Sequence, residues 1–237
     1  MDSTSLSFDY EKRLVKKLEE MIPPIEITPK RINALLVYSQ ELFLWNNAFN
    51  LIGDIRATKL SQTEREDIFI VRHICDALSG WNTLKEKVGK KKGLAICDVG
   101  SGAGIPGVVL SIFFEEQNWT LIERSKKRCG FLQNVAVLSG LKQLTILEAS
   151  IEDVKSTFDI VVFRAFRQLD EFFTKLARLL NKEGCLVAYK GRIEQIENEI
   201  AIWANSLGEF VFEIKPIDLK TKDVQRNILV VSKTKRI

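Results

Sequence analysis

Short apolar runs alternate with stretches of helical periodicity from residue 94 to about residue 206. The apolar runs lie at 94–99, 119–122, 144–147, 158–163 and 185–189, and the helical stretches lie at about 106–116, 126–139, 169–181 and 192–206. This alternation predicts an α/β fold with a doubly wound, Rossmann-like parallel sheet and helices on both of its faces. Two further apolar runs, at 210–214 and 228–231, have no helix between them and predict an antiparallel pair at the sheet edge.

The residues before this alternation carry helical patterns only. A first amphipathic stretch ends at Pro23-Pro24, and Thr28-Pro29 is typical of the start of a second helix. A third helix is predicted to begin at Thr63. The chain then becomes rich in lysine and glycine, which we interpret as a linker. The predicted organisation is an N-terminal helical cap (1–82), a basic linker (83–93) and a Rossmann-like domain (94–237).

The residue counts exclude several classes of site. His73 is the single histidine of the chain, and consecutive cysteines are at least 22 residues apart. These facts exclude an H-E-x-x-H zinc site and C-x-x-C pairs, so we expect no metal ion and buried, reduced thiols. The longest apolar run is far shorter than a membrane span, and residues 1–13 do not resemble a secretory signal. We therefore expect a cytoplasmic protein that is not associated with a membrane.

A glycine-rich segment, Asp98-Val99-Gly100-Ser101-Gly102-Ala103-Gly104-Ile105-Pro106-Gly107, follows the first predicted strand and opens a helix. Glycines allow a tight turn and a close approach of the backbone to a ligand. The spacing Gly102-x-Gly104-x-x-Gly107 also fits a dinucleotide fingerprint. However, Asp98 places an acid at the strand end, which suits a ligand with a sulfonium and an ammonium group better than a pyrophosphate. We therefore expect S-adenosylmethionine (AdoMet) at this loop.

Other candidate residues follow the next predicted strands. Glu123 ends the second strand 19 residues after Gly104, where a carboxylate accepts hydrogen bonds from ribose hydroxyls. Ile151 and Glu152 follow the third strand and are candidates for the adenine contact, although a turn capped by acids is an equally good interpretation. Arg164 ends the fourth strand and is expected to point toward the cleft, with Phe166 as a stacking surface for a base.

Basic residues open the helix after the second strand. Lys126, Lys127 and Arg128 occupy its first turn, where each cation opposes the helix dipole by roughly 0.3–1 kcal/mol. Such a placement is easier to understand if an anion docks there, so these residues are candidates for RNA contact. Residues 215–237 carry seven Lys or Arg and two Asp, which also fits a nucleic-acid partner, although charge runs often serve solubility alone.

Several motifs together resemble those of the RsmG (GidB) family, the bacterial 16S ribosomal RNA guanine-N7 methyltransferases. The matching segments extend from about residue 35 to residue 231. They are Asn50-Leu51, Arg72-His73-Ile74-Cys75-Asp76-Ala77-Leu78, the glycine loop, Lys127-Arg128-x-x-Phe131-Leu132, Arg164-Ala165-Phe166 and Lys190-Gly191. The glycine loop is shared with methyltransferases in general, whereas the R-H-I-x-D-x-L helix and the R-A-F segment indicate this family.

The resemblance implies a class I AdoMet-dependent methyltransferase sheet, with 16S ribosomal RNA or the small ribosomal subunit as partner. We expect a monomer, although the sequence does not establish the oligomeric state. The resemblance implies cofactor contacts at Gly100, Ile105, Ile151, Glu152 and Arg164, and the pattern of the glycine loop and second strand predicts two more at Gly102 and Glu123. It also implies that Arg72, His73, Asp76 and Lys190 are candidates for the substrate cleft. No catalytic base is expected, because N7 of neutral guanine already presents a lone pair.

The chain departs from the family pattern at Glu123-Arg124, at Ile52, at Arg226-Asn227 and in an extra stretch at about 57–63. Three alternatives stay open on sequence alone. They are an AdoMet-dependent methyltransferase of a small molecule or protein, an NAD(P)-linked oxidoreductase, and a non-catalytic nucleotide-binding module.

Overall fold

The computed structural model describes residues 5–21, 25–56, 59–164, 170–206, 210–217 and 225–234. Within these ranges the centre of the molecule is a seven-stranded sheet in the order β3-β2-β1-β4-β5-β7-β6. The strands are β1 (Ala95–Val99), β2 (Asn118–Glu123), β3 (Leu144–Glu148), β4 (Phe158–Arg164), β5 (Leu180–Lys190), β6 (Phe210–Ile217) and β7 (Arg226–Lys233). The predicted α/β fold is therefore confirmed.

Strands β1 to β5 are mutually parallel, whereas β7 runs antiparallel to both β5 and β6. This confirms the predicted antiparallel pair at the edge, with β7 inserted between β5 and β6. Strand β5 begins at Leu180, five residues before the predicted start, and its pairing with β4 contains an irregularity there. The strand order reverses between β1 and β4, so their carboxyl ends flank a crevice suited to a ligand.

The helices are α1 (Tyr10–Met21), α2 (Pro29–Phe49), α3 (Gln62–Phe69), α4 (Asp76–Leu78), α5 (Trp81–Val88), α6 (Gly107–Phe113), α7 (Lys126–Leu138), α8 (Asp170–Arg178) and α9 (Ile193–Ser206). Thr28 caps α2 through its side chain, as predicted. Helix α3 begins one residue earlier than predicted, because Ser61 and Glu64 form a reciprocal capping box at its start. None of these helices combines the length and apolar character that crossing a bilayer requires.

The prediction of a linker over 83–93 is wrong for its first half. Residues 83–88 belong to α5, whose Leu84 and Val88 are buried. Trp81, at the start of this helix, packs on Phe114 with ring centroids 4.4 Å apart. Of the lysines that suggested a linker, Lys85 and Lys87 belong to α5, whereas Lys90, Lys91 and Lys92 lie in the short connection (89–94) between α5 and β1.

Alternate residues of the central strands pack on opposite faces of the sheet. Ile96 and Val162 belong to one buried cluster that also contains residues of α1 to α7. Cys97 and Val161 belong to the other cluster, which contains residues of α8 and α9. The N-terminal helices thus share a hydrophobic core with one face of the sheet, and this packing brings them next to the strand ends.

A π-helix, Ile70–Cys75, interrupts the helical segment between α3 and α4. The sequence predicted a continuous helix over this region. Such π-turns insert an extra residue per turn and are frequent at functional sites. Here the π-helix carries Arg72 and His73, two of the candidate cleft residues.

Candidate active site

The glycine loop leaves β1 at Val99 and returns into α6 through left-handed backbone conformations. Gly100, Gly102 and Gly104 have φ angles of +71°, +57° and +84°. At Gly104 a Cβ atom would also lie 2.4 Å from Cγ2 of Val108, so both the backbone and the packing require glycine there. The Gly104 N–H donates to the Ser101 carbonyl at 2.7 Å, which closes the turn.

Asp98 supports this loop from the buried side. Its side chain is 1% exposed, and its Oδ2 accepts a hydrogen bond from the Gly107 N–H at 2.9 Å. Burial raises the pKa of Asp98 to about 7, because the charged carboxylate loses its hydration. The expectation that Asp98 presents a carboxylate to the ligand is therefore wrong: the side chain turns inward because the N–H group at the start of α6 needs an acceptor.

A cavity of about 480 Å³ opens at the carboxyl ends of the strands. Residues that line it include Gly100, Glu123, Ile151, Glu152, Arg164 and Phe172. Five residues predicted to contact the cofactor are therefore brought to one cavity. The other two lie beside it: Gly102 donates its N–H to Glu123, and Ile105 is buried in the core beneath the loop.

Glu123 is fixed by backbone donors at the edge of this cavity. One carboxylate oxygen accepts the Gly102 N–H at 3.0 Å and the other accepts the Ser125 N–H at 2.8 Å. Arg128 lies 3.9 Å from the same carboxylate. Because a carboxylate has about four acceptor positions, this arrangement holds the group still while leaving it able to accept further hydrogen bonds from a ligand.

The segment after β3 forms the next wall. Ile151 is largely buried, and Glu152 is exposed with its carboxylate 2.6 Å from Nζ of Lys175. The hydrogen bond from Lys175 is the main cause that lowers the pKa of Glu152 to about 2. Arg178 donates to the carbonyls of Ile151 and Glu152 at 2.9 and 3.0 Å. Arg178 was not predicted, since a helical arginine gives no sequence signal for a contact with a distant turn.

Charged side chains join the cap to the sheet beside the cavity. Nη1 of Arg164 donates to one oxygen of Asp76 at 2.7 Å, and Nε of Arg226 donates to the other at 2.5 Å. Nδ1 of His73 lies 3.3 Å from Arg164, and its Nε2 lies 3.1 Å from Asp54, the first residue of a short 3₁₀ helix (Asp54–Arg56). Burial is the main cause that lowers the pKa of His73. We call Asp76, Arg164, Arg226 and His73 the junction cluster.

The junction cluster contains two of the four predicted cleft residues. A third, Arg72, is exposed beside it and accepts a hydrogen bond from Arg164 through its carbonyl at 3.4 Å. The fourth, Lys190, is turned toward α9, where its Nζ lies 2.7 Å from a carboxylate oxygen of Glu199. The structure thus separates Lys190 from the junction cluster by pairing it with α9. Phe166 lies outside the described residues.

Solved structures identify the class to which this arrangement belongs. A putative S-adenosyl-L-methionine-dependent methyltransferase from Methanococcus maripaludis has a TM-score of 0.56 at 12% identity, covering 90% of this chain and 98% of that chain. Ribosomal protein L11 methylase from Lactobacillus delbrueckii has a TM-score of 0.53 at 18% identity, covering 69% and 79%. The fold is therefore that of the Rossmann-like methyltransferases.

The sequence comparison is more specific. The model of the family described as rRNA small subunit methyltransferase G (GidB) matches residues 31–221. Ribosomal RNA small subunit methyltransferase G from Borreliella burgdorferi is 32% identical over 202 residues, which is 85% of this chain and 90% of that protein. The chain belongs to the rRNA small subunit methyltransferase G (GidB) family, and its cofactor is AdoMet.

The residues around the cavity fit this cofactor. A ribose needs acceptors for its two hydroxyls, which the Glu123 carboxylate offers; an adenine needs an apolar face, which Ile151 offers. The glycine loop adds backbone that approaches without side chains at Gly100 and Gly102. These acceptor, apolar and backbone surfaces are together suited to a nucleoside ligand.

Proposed function

We propose that this protein transfers the methyl group of AdoMet to N7 of a guanine in 16S ribosomal RNA. One observation carries the proposal. In a chain that belongs to the rRNA small subunit methyltransferase G family, the cavity at the switch point of the sheet opens beside the junction cluster, in which two arginines share the carboxylate of Asp76. The cavity supplies room for the nucleoside of the cofactor, and the cluster supplies groups for an anionic substrate.

In this proposal the cofactor lies against the glycine loop. Gly100, Gly102 and Ile105 form the loop side, and Glu123 accepts the ribose hydroxyls. Ile151 packs on the adenine and the Glu152 segment meets its amino edge. Arg164 closes the remaining side, where Asp76 and His73 fix its guanidinium. The geometry supports these assignments because five of the residues line one cavity.

Methyl transfer to N7 of guanine requires that the reactants be oriented, and it requires no catalytic base. AdoMet supplies an electrophilic methyl carbon when it is bound. N7 of neutral guanine carries an in-plane lone pair, so the protein removes no proton and instead holds the base in line and excludes water. Arg72, His73 and Asp76 lie where the cap meets the strand ends, and they are suited to position the guanine. We assign no catalytic base among them.

The RNA side of the proposal rests on the start of α7. Lys126, Lys127 and Arg128 are exposed there, and Arg128 also borders the cavity. Phosphate contacts from such residues fix the register of RNA without reading its sequence. The proposal includes a monomeric, cytoplasmic enzyme that works without a metal ion.

The test is a methyl-transfer assay. The protein is incubated with labelled AdoMet and small ribosomal subunits from cells that lack this modification, and then with fully modified subunits as a control. Borohydride reduction and aniline cleavage of the RNA locate any 7-methylguanine. We expect label in the RNA of the unmodified subunits alone, with cleavage at one guanine. Label in ribosomal protein, or in an RNA that resists cleavage, would contradict the proposal.

A further inference from the structure

An aromatic pair is exposed at the end of α2, outside the site described above. Phe49 is 42% exposed, and its ring centroid lies 5.3 Å from that of Trp45 one helical turn earlier. Nζ of Lys127 lies 5.6 Å from the centroid of the Phe49 ring. We call Trp45, Phe49 and Lys127 the aromatic patch. A single exposed apolar residue needs no explanation. An exposed aromatic ring that contacts both a second ring and a cation, however, forms a defined surface.

The aromatic patch is held rigidly. Trp45 packs on Phe131 of α7, with centroids 5.8 Å apart, and its indole lies 3.8 Å from where a Cβ atom on Gly130 would stand. Helix α2 thus rests on the first turns of α7, and Phe49 is presented at its end. A ring that is already fixed loses little conformational entropy when a flat ligand stacks on it.

The aromatic patch is continuous with the edge of the cofactor cavity. Lys127 belongs to the same helical turn as Lys126 and Arg128, and Arg128 borders the cavity beside Glu123. The exposed cations therefore connect the cavity with the aromatic ring. One helical turn before Trp45, the Glu41 carboxylate accepts a hydrogen bond from the side chain of Asn134 on α7, which directs it toward that helix.

We propose that a base of the substrate RNA, on a strand that leaves the target guanine, stacks on Phe49 while Lys127 and its neighbours contact the adjoining phosphates. This inference rests on the proposed function, since it assigns the path of that same substrate. Aromatic rings interleaved with cations suit a single-stranded nucleic acid, because every base offers a flat face and every linkage a negative charge. The positive charge of the surface disfavours an apolar partner with a basic rim, and the cation beside the exposed ring matches the alternation of phosphates and bases in RNA.

The experiment compares four variants, including Lys127→Ala, by equilibrium binding to protein-free 16S RNA and by methyl transfer. Phe49→Ala removes the stacking face. Phe49→Trp keeps it. Phe8→Ala is the matched control, because Phe8 is also exposed but lies by Leu138 at the other end of α7. Circular dichroism, oligomeric mass, the AdoMet dissociation constant and binding to the intact small subunit are recorded for each protein.

We expect Phe49→Ala to weaken RNA binding about tenfold and to raise the KM for RNA to a similar extent, with kcat and AdoMet affinity within twofold of wild type. Phe49→Trp and Phe8→Ala should bind as wild type does. Lys127→Ala should lower the salt dependence of binding by about one phosphate contact.

Binding of RNA by Phe49→Ala with wild-type affinity would overturn the inference, whatever happens to methyl transfer. Weaker binding to the intact subunit alone would also overturn it, and would assign the aromatic patch to a ribosomal protein. A change in oligomeric mass would assign it to a second copy of this chain. If wild type transfers no methyl group but Phe49→Ala still weakens RNA binding relative to Phe8→Ala, the aromatic patch stands and the proposed function fails.

Discussion

The two walls of the candidate site each contain one buried aspartate, and the two are stabilised in different ways. On the glycine-loop wall, Asp98 accepts a backbone N–H from Gly107, nine residues further along the chain. On the cap wall, Asp76 accepts from Arg164 and Arg226, which are 88 and 150 residues away in sequence. The loop wall can form as soon as β1 and α6 come together, whereas the cap wall needs the cap, β4 and β7 to be assembled first.

The difference also concerns charge. Asp98 is buried with a neutral donor, and burial raises its pKa to about 7. Asp76 is buried with two cations, a pairing in which removal of one partner leaves the others without compensation. The loop wall should therefore respond to pH, and the cap wall to the loss of a side chain. The following substitutions test this contrast.

The largest effect is expected for Asp98→Asn as a function of pH. In the unfolded chain Asp98 releases its proton above the ordinary aspartate pKa of 3.8. The folded protein keeps that proton up to about pH 7. The free energy of unfolding therefore falls as pH rises from about 4 to about 7, by up to about 4 kcal/mol from this group. Asparagine does not titrate, so the difference between variant and wild type should shift in favour of the variant toward pH 8. Urea titrations at pH 4.5 and pH 8 measure it.

The exposed strand-end substitution Glu148→Gln serves as the control for that experiment. It alters the charge of the chain by the same amount, but it lies on β3 and makes no contact with Asp98 that the structure records. An unfolding difference between Asp98→Asn and wild type that is the same at both pH values would mean that Asp98 is charged in the folded state.

The next effect is expected for Asp76→Ala. Two guanidinium groups, each about one quarter to one third exposed, would lose their shared carboxylate. We expect a loss of about 3 kcal/mol in the free energy of unfolding and a decrease of at least a hundredfold in kcat/KM for methyl transfer. Asp54→Asn is the matched control, since Asp54 is more exposed and its ion pair among the described residues is with His73; the substitution should cost less than about 1 kcal/mol. If the two variants lost similar amounts of stability and activity, the shared contact of Asp76 with two arginines would not be what stabilises the cap wall.

A pair of glycine substitutions sharpens the description of the loop wall. Gly104 and Gly140 both have positive φ angles, of +84° and +66°, but only Gly104 has atoms within 4 Å of a new Cβ. Gly140→Ala should cost about 1 kcal/mol through backbone strain alone. Gly104→Ala should cost about 2–3 kcal/mol and lower AdoMet affinity, because Val108 must also move. Calorimetric binding and thermal unfolding of both variants provide the measurement, and equal costs would show that packing at Gly104 does not matter.

The sequence was informative where the signal is local. The strands of the sheet and the turn at Gly100 to Gly107 follow from hydrophobic runs and glycine spacing within about ten residues. The placement of Glu123 beside that turn follows from the parallel pairing of β1 with β2, which fixes the register of their ends. These features depend on backbone geometry that neighbouring residues determine themselves.

The sequence was uninformative where partners are distant. Nothing near Asp76 in sequence indicates that Arg226 will meet it, because that contact depends on β7 entering the sheet beside β5. Asp98 turns inward because α6 packs over the end of β1, where its Gly107 N–H needs an acceptor. The pairing of Lys190 with Glu199 likewise depends on where α9 packs. The lysines of 83–93 suggested a linker since their pattern alone does not show that Leu84 and Val88 face the core.

The smallest effect is expected for Glu123→Gln, which asks whether the loop wall holds a ribose. Both oxygens of Glu123 already accept backbone N–H groups, and an amide has only one oxygen, so its NH₂ group would face the Gly102 or Ser125 N–H. We expect AdoMet affinity to fall about tenfold, equivalent to about 1.4 kcal/mol, with a stable fold. Glu148→Gln is again the matched control, because Glu148 is the register partner of Glu123 on β3. Titration calorimetry compares the two. Unchanged affinity in Glu123→Gln would mean that the carboxylate serves the backbone alone, and the ribose contact would then have to come from the segment after β3.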